Sequence, residues 1–324
     1  MLHNFINLEL LSLTEVNISS PMPVNVSSSL RYLDLEYTNL LGVLPQSFSL
    51  LPNSLETLKL NDNHLLKGVF PKTHPSNTLL MELDISGTGI SGEIPDVFSN
   101  LQELYYLDLS ENSFIGPFPA SILSLTHLEH LGLSSNSLSG PLPSNQSMLQ
   151  KLTSVDLSYN SLNGTIPSWV FSLPLLSSVS LQHNRFRGLA DEVIKTNPTL
   201  KELHLSNNQL SGSLTLGNLT NLFSLGISSC ELKDFPHFLR NLKTLVYLDI
   251  SDNKICGQIP NWFSGMRGNI KYLGSVSNSP FVTLYEDSVS LVIKGKDIEL
   301  ERISTIMTTI DLSSNHFEGV IPKT

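Results

Sequence analysis

The feature that most constrains this chain is a recurring spacing of leucines. It reads Leu128-x-x-Leu131-x-Leu133-x-x-Asn136-x-Leu138. It recurs as Leu152, Val155, Leu157, Asn160 and Leu162, and as Leu200, Leu203, Leu205, Asn208 and Leu210. First positions fall at residues 8, 30, 55, 80, 104, 128, 152, 176, 200, 222, 245 and 307. Five consecutive spacings, from 80 to 200, equal 24 residues, whereas the last, from 245 to 307, is 62. The count is twelve repeats with one insertion. A unit this short cannot bury its own apolar face, so stacked neighbours must share one continuous core.

The spacing also fixes local geometry. In Leu-x-Leu, alternate side chains point to opposite faces of a strand, so the leucines face inward and the residues between them outward. Each strand reaches the next through a loop and a partial turn, which makes neighbouring strands parallel. Where the chain leaves the strand, buried backbone N–H and C=O groups need partners. A stacked asparagine amide both donates and accepts, once per repeat. Eight repeats place one there: Asn63, Asn112, Asn136, Asn160, Asn184, Asn208, Asn253 and Asn315. The others carry Val16, Thr38, Thr88 and Cys230, two of them near the N-terminus, where the ladder is expected to be weakest.

A second motif follows the asparagine: Gly92-Glu-Ile-Pro95, Gly116-Pro-Phe-Pro119, Gly140-Pro-Leu-Pro143, Gly164-Thr-Ile-Pro167, Gly257-Gln-Ile-Pro260 and Gly319-Val-Ile-Pro322. Glycine permits a tight turn without a Cβ clash, and proline presets φ and ends strand pairing. A short second strand and a 3-10 turn are expected after each main strand. This Gly-x-Ile-Pro form resembles the plant-specific class of leucine-rich repeats, found in extracellular receptors and in polygalacturonase-inhibiting proteins. The resemblance implies an α/β solenoid, a superhelix of about 12 repeats with a concave parallel sheet and short convex strands.

The period breaks once. Repeats occupy 1–268, an insertion 269–306, and a resumed repeat begins at 307–324. Within the insertion Val289, Leu291 and Ile293 alternate, as do Ile298 and Leu300, with Lys294-Gly295-Lys296 between them. That pattern reads as a short hairpin with a turn at the lysines. The run from Tyr285 through Val292-Ile-Lys-Gly295 to Ile310-Asp-Leu-Ser-Ser-Asn-x-Phe-x-Gly-x-Ile-Pro322 is similar to the island junction of plant leucine-rich-repeat receptor-like proteins. The resemblance implies a cell-surface protein without a kinase domain, which senses an extracellular peptide, protein or glycan and signals through a partner receptor kinase. Such proteins begin with a signal peptide and a cysteine-paired cap, and they end with further repeats and a membrane helix. None of these is legible here, so the chain is expected to be a fragment or a truncated or internally deleted product. Uncovered terminal leucine layers predict self-association.

Charge and motif content narrow the functions further. The formal charge is −10 and no basic run exists, which argues against nucleic acid. No stretch of about 18 apolar residues spans a membrane. Neither a Gly-x-Ser-x-Gly or His-Glu-x-x-His motif nor a phosphate loop is present, so no enzyme activity, cofactor or metal is expected. Asp156 lies near His130 and His183 in repeat position, as chance pairs do on a polar sheet. The two cysteines, Cys230 and Cys256, read either as a bridge between adjacent repeats or as two separate small residues, one of them buried. Their offset along the repeat favours the second reading.

Candidate sites lie on the outward positions of the main sheet. The recurring Asp84, Asp108, Asp156, Asp249 and Asp311 of Leu-Asp-Leu-Ser read as structural or solubilising. The departures are more informative: Tyr37, Lys59, Asp62, Tyr106, Glu111, His130, Tyr159, His183 and His204. Tyrosine offers apolar area with a polar tip, and the three histidines could form a pH-sensitive strip. Each also reads as a scattered, solvated residue. Lys294 and Lys296 flank the island turn, where a partner contact and a solvated turn are alternatives. Five sequons, at Asn17, Asn25, Asn145, Asn163 and Asn218, mark glycan positions in a secreted chain. Three functions compete: a ligand-binding receptor ectodomain fragment, a soluble inhibitor of a pathogen enzyme, and a truncated product without ligand activity.

Overall fold

The computed structural model describes residues 7–23, 26–45, 51–72, 79–144, 148–189, 198–210, 219–263, 289–293, 296–300 and 309–317. The chain folds as two compact units, Met1–Asn163 with Leu173–Leu176, and Gly164–Ser172 with Ser177–Thr324. The first repeat carries β1 (Leu10–Ser12) alone. The next seven carry a main strand and a second strand each: β2 (Tyr32–Asp34) and β3 (Gly42–Val43), β4 (Thr57–Lys59) and β5 (Leu66–Val69), β6 (Glu82–Asp84) and β7 (Gly89–Glu93), β8 (Tyr106–Asp108) and β9 (Ser113–Gly116), β10 (His130–Gly132) and β11 (Ser137–Pro141), β12 (Ser154–Asp156) and β13 (Ser161–Ile166), β14 (Ser178–Ser180) and β15 (Arg185–Leu189). Then come β16 (Glu202–His204), β17 (Ser224–Gly226), β18 (Tyr247–Asp249) and β19 (Cys256–Gly257), the hairpin β20 (Val289–Ile293) and β21 (Lys296–Leu300), and β22 (Thr309–Asp311) with β23 (His316–Phe317). All twelve main strands begin two residues after the first positions read from the sequence.

In the first unit β1, β2, β4, β6, β8, β10 and β12 pair in parallel, in chain order and with one leucine row in register: Leu11, Leu33, Leu58, Leu83, Leu107, Leu131, then Val155. From Leu33 onward these side chains are buried, at 0–2% exposure. Burying each is worth roughly 1.5–3 kcal/mol, gained only because a neighbouring repeat covers it. Phe70 packs against Phe98 and Phe114, with ring centroids 5.6 and 6.3 Å apart, and fills the space behind the sheet.

The second strands β3 to β13 also pair in chain order. Gly42, Gly92, Gly116 and Gly140 sit at φ of 84 to 86° in this sheet, so a side chain there would be strained. A Cβ on Gly68 would in addition meet Val43 Cγ1 at 2.9 Å. Among the described residues a second strand does not follow every main strand: none follows β17 over 227–236. That stretch reads Glu231-Leu-Lys-Asp-Phe-Pro236 and lacks the glycine that each of the second strands β3 to β15 contains. The helical content is small. Among the described residues it comprises one four-residue α-helix (Trp169–Ser172) and 3-10 turns at Phe98–Asn100, Ala120–Ser124, His237–Asn241 and 261–263.

In the second unit β14, β16, β17, β18 and β22 pair in parallel. The insertion leaves the register intact, since β22 pairs directly with β18, Leu248 opposite Ile310. Asn315 Nδ2 donates to Ile250 O at 3.0 Å and its Oδ1 accepts from Ile255 N at 3.1 Å, as an adjacent repeat would. Phe235, Trp262, Phe263 and Phe317 pack together, with Phe235 centroids 5.7, 5.0 and 6.1 Å from the other three. The hairpin is antiparallel, Leu291 opposite Ile298. Lys296 opens β21 opposite Ile293 and so belongs to the strand rather than to the turn.

The asparagine ladder bridges repeats as the amide chemistry requires. Asn63 is fully buried; its Oδ1 accepts from Thr38 N, Thr38 Oγ1 and Leu40 N, and its Nδ2 donates to Leu35 O, Leu60 O and Asn61 O. Asn112, Asn136, Asn160, Asn208 and Asn253 repeat the pattern, each donating into the preceding repeat and accepting an N–H from it. Asn184 donates to Leu181 O and Gln182 O. Where the ladder residue differs, other groups serve. Thr38 and Thr88 donate their hydroxyls to Leu35 O and Ile85 O, and Ile18 N, facing Thr38, turns to its backbone oxygen at 2.9 Å. Cys230 Sγ lies 3.2 Å from Leu205 O. Cys230 is buried, Cys256 is exposed, and both are free thiols, which is the second of the two readings above.

Candidate functional site

The main-sheet face of the first unit carries four outward columns. The residue before each inward leucine gives Tyr32, Thr57, Glu82, Tyr106, His130 and Ser154; the residue after it gives Asp34, Lys59, Asp84, Asp108, Gly132 and Asp156. A third column begins with Glu36, Asn61 and Ser86. The fourth is Tyr37, Asp62, Gly87, Glu111, Ser135 and Tyr159. Every residue of this fourth column has φ between 52 and 60°. The same left-handed position recurs in the second unit at His183, Asn207, Ser229, Asp252 and Ser314. The chain reverses there as it leaves the strand, and the turn is held by N–H donation to the next repeat, for example Tyr37 N to Asn61 O and Asp62 N to Ser86 O. Five of the sequence candidates, Tyr37, Asp62, Glu111, Tyr159 and His183, therefore share one backbone position.

The aspartates of the second column cap the strand ends. Asp84 Oδ1 accepts from Ser86 N and Oγ, Asp108 Oδ1 from Ser110 N, and Asp156 Oδ1 from Ser158 N. Asp249 and Asp311 do the same in the second unit. This is a local turn device. Gly132 is small because Asp108 occupies its space; a Cβ there would lie 2.6 Å from Asp108 Oδ1.

The departures form a network in the first unit. Tyr106 and His130 stack, ring centroids 4.5 Å apart and planes 15° from parallel. His130 Nε2 is 3.9 Å from Asp108 Oδ2, so its carboxylate neighbour is Asp108 of the preceding repeat. Burial pushes the Asp108 carboxyl up, but the nearby His130 imidazole and hydrogen bonding from Ser110 outweigh it and hold the group below its ordinary value. Burial, followed by the charge of Asp108, raises the Tyr106 phenol. Burial also raises Asp84, which has Asp108 beside it, to about 6. Lys59 Nζ pairs with Glu82 Oε1 at 2.9 Å, and the Asp62 carboxylate raises the Tyr37 phenol. Glu111 and Tyr159 are exposed.

In the second unit His183 Nε2 lies 3.3 Å from Asn207 Nδ2, and His204 borders Gly226, where a Cβ would meet its Nδ1 at 3.2 Å. His183 and His204, both in the second unit, occupy different columns of their repeats, and His130 lies in the first unit. Lys294 and the sequons Asn25, Asn145 and Asn218 lie outside the described residues. Asn17 is exposed, and Asn163 is half-buried in β13. Sequence reasoning passed over Asn61, a buried residue in a column of serines. Its departure from Leu-x-Leu-Ser was the available signal.

Comparison with known proteins agrees with this geometry. Two family descriptions, both leucine rich repeat, match residues 78–138 and 174–232, and residues 29–51, 151–173 and 244–266. Together these are 189 of the 324 residues, and the chain belongs to the leucine-rich-repeat family. Within it, the curated relatives are plant receptor-like proteins. Receptor-like protein 6 of Arabidopsis thaliana is 45% identical over 103 residues, 31% of this chain and 10% of that protein's length. Among solved structures, the plant peptide hormone receptor RGFR1 in complex with RGF2 superposes with a TM-score of 0.73 at 30% identity, over 84% of this chain and 44% of that one. The Arabidopsis receptor kinase HAESA, in complex with the peptide hormone IDA and the co-receptor SERK1, gives 0.60 at 28%, over 84% and 55%. Among the described residues no helix is long and apolar enough to cross a membrane.

Proposed function

We propose that this chain is a ligand-binding region of a plant cell-surface receptor-like protein, and that it binds an extracellular ligand on the main-sheet face and signals through a partner receptor kinase. One observation carries the reading. The stacked Tyr106–His130 pair, with Asp108 3.9 Å from the imidazole, sets aromatic area of the kind interfaces use into a largely polar face. The repeats supply a rigid scaffold and the departures supply the specificity. Kinship to receptor-like proteins and likeness to hormone-bound ectodomains support the same role. A role in defence or developmental sensing follows from that kinship. Lys294 and Lys296 of the island are a second contact under this reading.

A selection of displayed random peptides against the full chain tests it. Binders are expected to lose affinity with Tyr106→Ala and His130→Ala, and to tolerate Arg185→Ala with Arg187→Ala on β15. Binders that respond only to the β15 pair, or a selection that yields none, would overturn the proposal.

A further inference from the structure

Two of the sequons fall among the described residues, Asn17-Ile18-Ser19 and Asn163-Gly164-Thr165, and the main-sheet site uses neither. An N-linked glycan needs an asparagine amide that reaches solvent and a hydroxyl two residues on. Along β13 the side chains alternate. Leu162 and Ile166 are buried in the core, so Asn163 and Thr165 point the other way, outward and on one face. At Asn17 the chain turns instead of extending. Ser19 has a φ of 44° and its Oγ donates to Asn17 Oδ1 at 2.5 Å, so hydroxyl and amide meet there too. The ladder asparagines donate their Nδ2 groups to backbone carbonyls, as Asn112, Asn136 and Asn160 do. The Nδ2 groups of Asn17 and Asn163 have no acceptor among the described residues, so the fold leaves both amides open.

A second observation concerns where the two asparagines stand. Both belong to the second-sheet side of the first unit, and no described sequon lies on a main strand. Asn163 is in register with Pro141 of β11. Asn17 lies beside β3, since Ile18 N donates to Thr38 O and Pro21 bridges Leu41, the residue before Gly42. In strand order the exposed apolar side chains of this sheet fall between them. They are Val43 on β3, Val69 on β5 and Ile115 on β9, at 64, 45 and 50% exposure. Val43 and Val69 lean over Gly68 and Gly92 of the following repeats, and Ile115 is flanked in register by Glu93 and Ser137. Branched apolar side chains on an open sheet face are an association hazard. A bulky, hydrated glycan at each end of the row covers them.

We propose that Asn17 and Asn163 carry N-linked glycans, which cover the second sheet of the first unit and leave its main-sheet face bare for a ligand. The inference rests on the receptor reading for the chain's passage through a secretory route. There an oligosaccharide is transferred from a lipid diphosphate donor. The asparagine amide nitrogen bonds to the anomeric carbon, the bond from that carbon to the phosphate oxygen breaks, one amide proton is released, and the lipid diphosphate leaves. In the test the full chain is secreted from plant cells behind an added signal peptide, and intact glycopeptides are read by mass spectrometry. Sugar is expected on most copies of both asparagines. Ser19→Ala and Thr165→Ala each strip one site, whereas Thr165→Ser keeps its sugar. Covering is read by hydroxyl-radical footprinting of the secreted chain beside the Ser19→Ala, Thr165→Ala chain. Val69 and Ile115 are expected to oxidise about two-fold faster or more without sugar, and Tyr159 on the main-sheet face at the same rate in both. A secreted chain that is bare at either asparagine sinks the inference. Unchanged rates at Val69 and Ile115 sink it as well, and so does an equal rise at Tyr159, because the effect is then not confined to the second sheet. The signal peptide supplies secretion, so each of these failures leaves the receptor reading to the peptide selection above.

Discussion

Two asparagines two residues apart in the third repeat put the same side chain to opposite use. Asn63 lies in the interior ladder, where both amide atoms are saturated by backbone and side-chain groups of two repeats. Asn61 lies on the sheet face, also buried, with a side-chain oxygen that no donor meets. The ladder recurs because every repeat presents the same buried backbone groups. The face differs from repeat to repeat because nothing in the scaffold dictates it. A buried polar group that the fold satisfies stabilises it, and one left without a donor is a burden on the folded state.

The comparison can be pressed from both sides, and the largest contrast is chemical. Cys230 replaces an asparagine in the ladder, and burial pushes its thiol up to about 12, while Cys256 is exposed. The thiolate is the nucleophile, so at pH 8 the Cys230 thiolate is about a thousand-fold scarcer than that of an ordinary thiol. Mass spectrometry of the native chain after brief iodoacetamide treatment is expected to find one label, on Cys256, and a second only after unfolding. Two labels on the native protein would mean that the ladder opens readily at this repeat.

Next in size, Asn63→Ala strands Thr38 N and Leu40 N together with the carbonyls of Leu35 and Leu60. A loss of about 3 kcal/mol or more in chemical denaturation is expected. Asp84→Asn acts the other way. Its carboxyl is raised to about 6, so at neutral pH the folded chain carries an ionised group that it would rather protonate. That burden is full above pH 6, shrinks as pH falls toward the ordinary carboxylate value, and is absent below it. Asparagine keeps the bond to Ser86 N and is expected to stabilise by about 1–2 kcal/mol at pH 7, with no gain near pH 3. A gain that persists at low pH would contradict the ionic origin.

The smallest effect is His130→Ala. The depressed Asp108 carboxyl contributes stability that is present above its unfolded value and lost as pH falls through its folded one. Losing the imidazole should cost about 0.5 kcal/mol at neutral pH and shift the acid limb of unfolding upward, since the pair is partly exposed.

The repeat architecture was almost wholly legible in advance, because burial of one leucine per strand in every repeat leaves a period that no other fold produces. The hairpin at Val289–Leu300 was legible for the same kind of reason, an alternation of apolar residues around a turn. The left-handed column was not. Its residues, Tyr37, Asp62, Glu111 and Tyr159 among them, share no side-chain chemistry, and only the backbone reveals them as one position. The partnership of His130 with Asp108 also escaped the sequence, since a contact across strands depends on which carboxylate leans into the space above Gly132. The expectation of a second strand after every main strand fails after β17, where the glycine of the other second strands is missing. The distinction between Asn61 and Asn63 needed hydrogen bonds to be seen at all.

The central claim is that the interior ladder and the sheet face are governed separately, and thermal unfolding of Asn61→Leu beside Asn63→Leu tests it most directly. Asn63→Leu is expected to lower the midpoint by several degrees, as loss of about 3 kcal/mol in a chain this long requires, while Asn61→Leu leaves it unchanged or raises it. If Asn61→Leu unfolds as early as Asn63→Leu, Asn61 is as structural as the ladder, and face and interior are not governed separately.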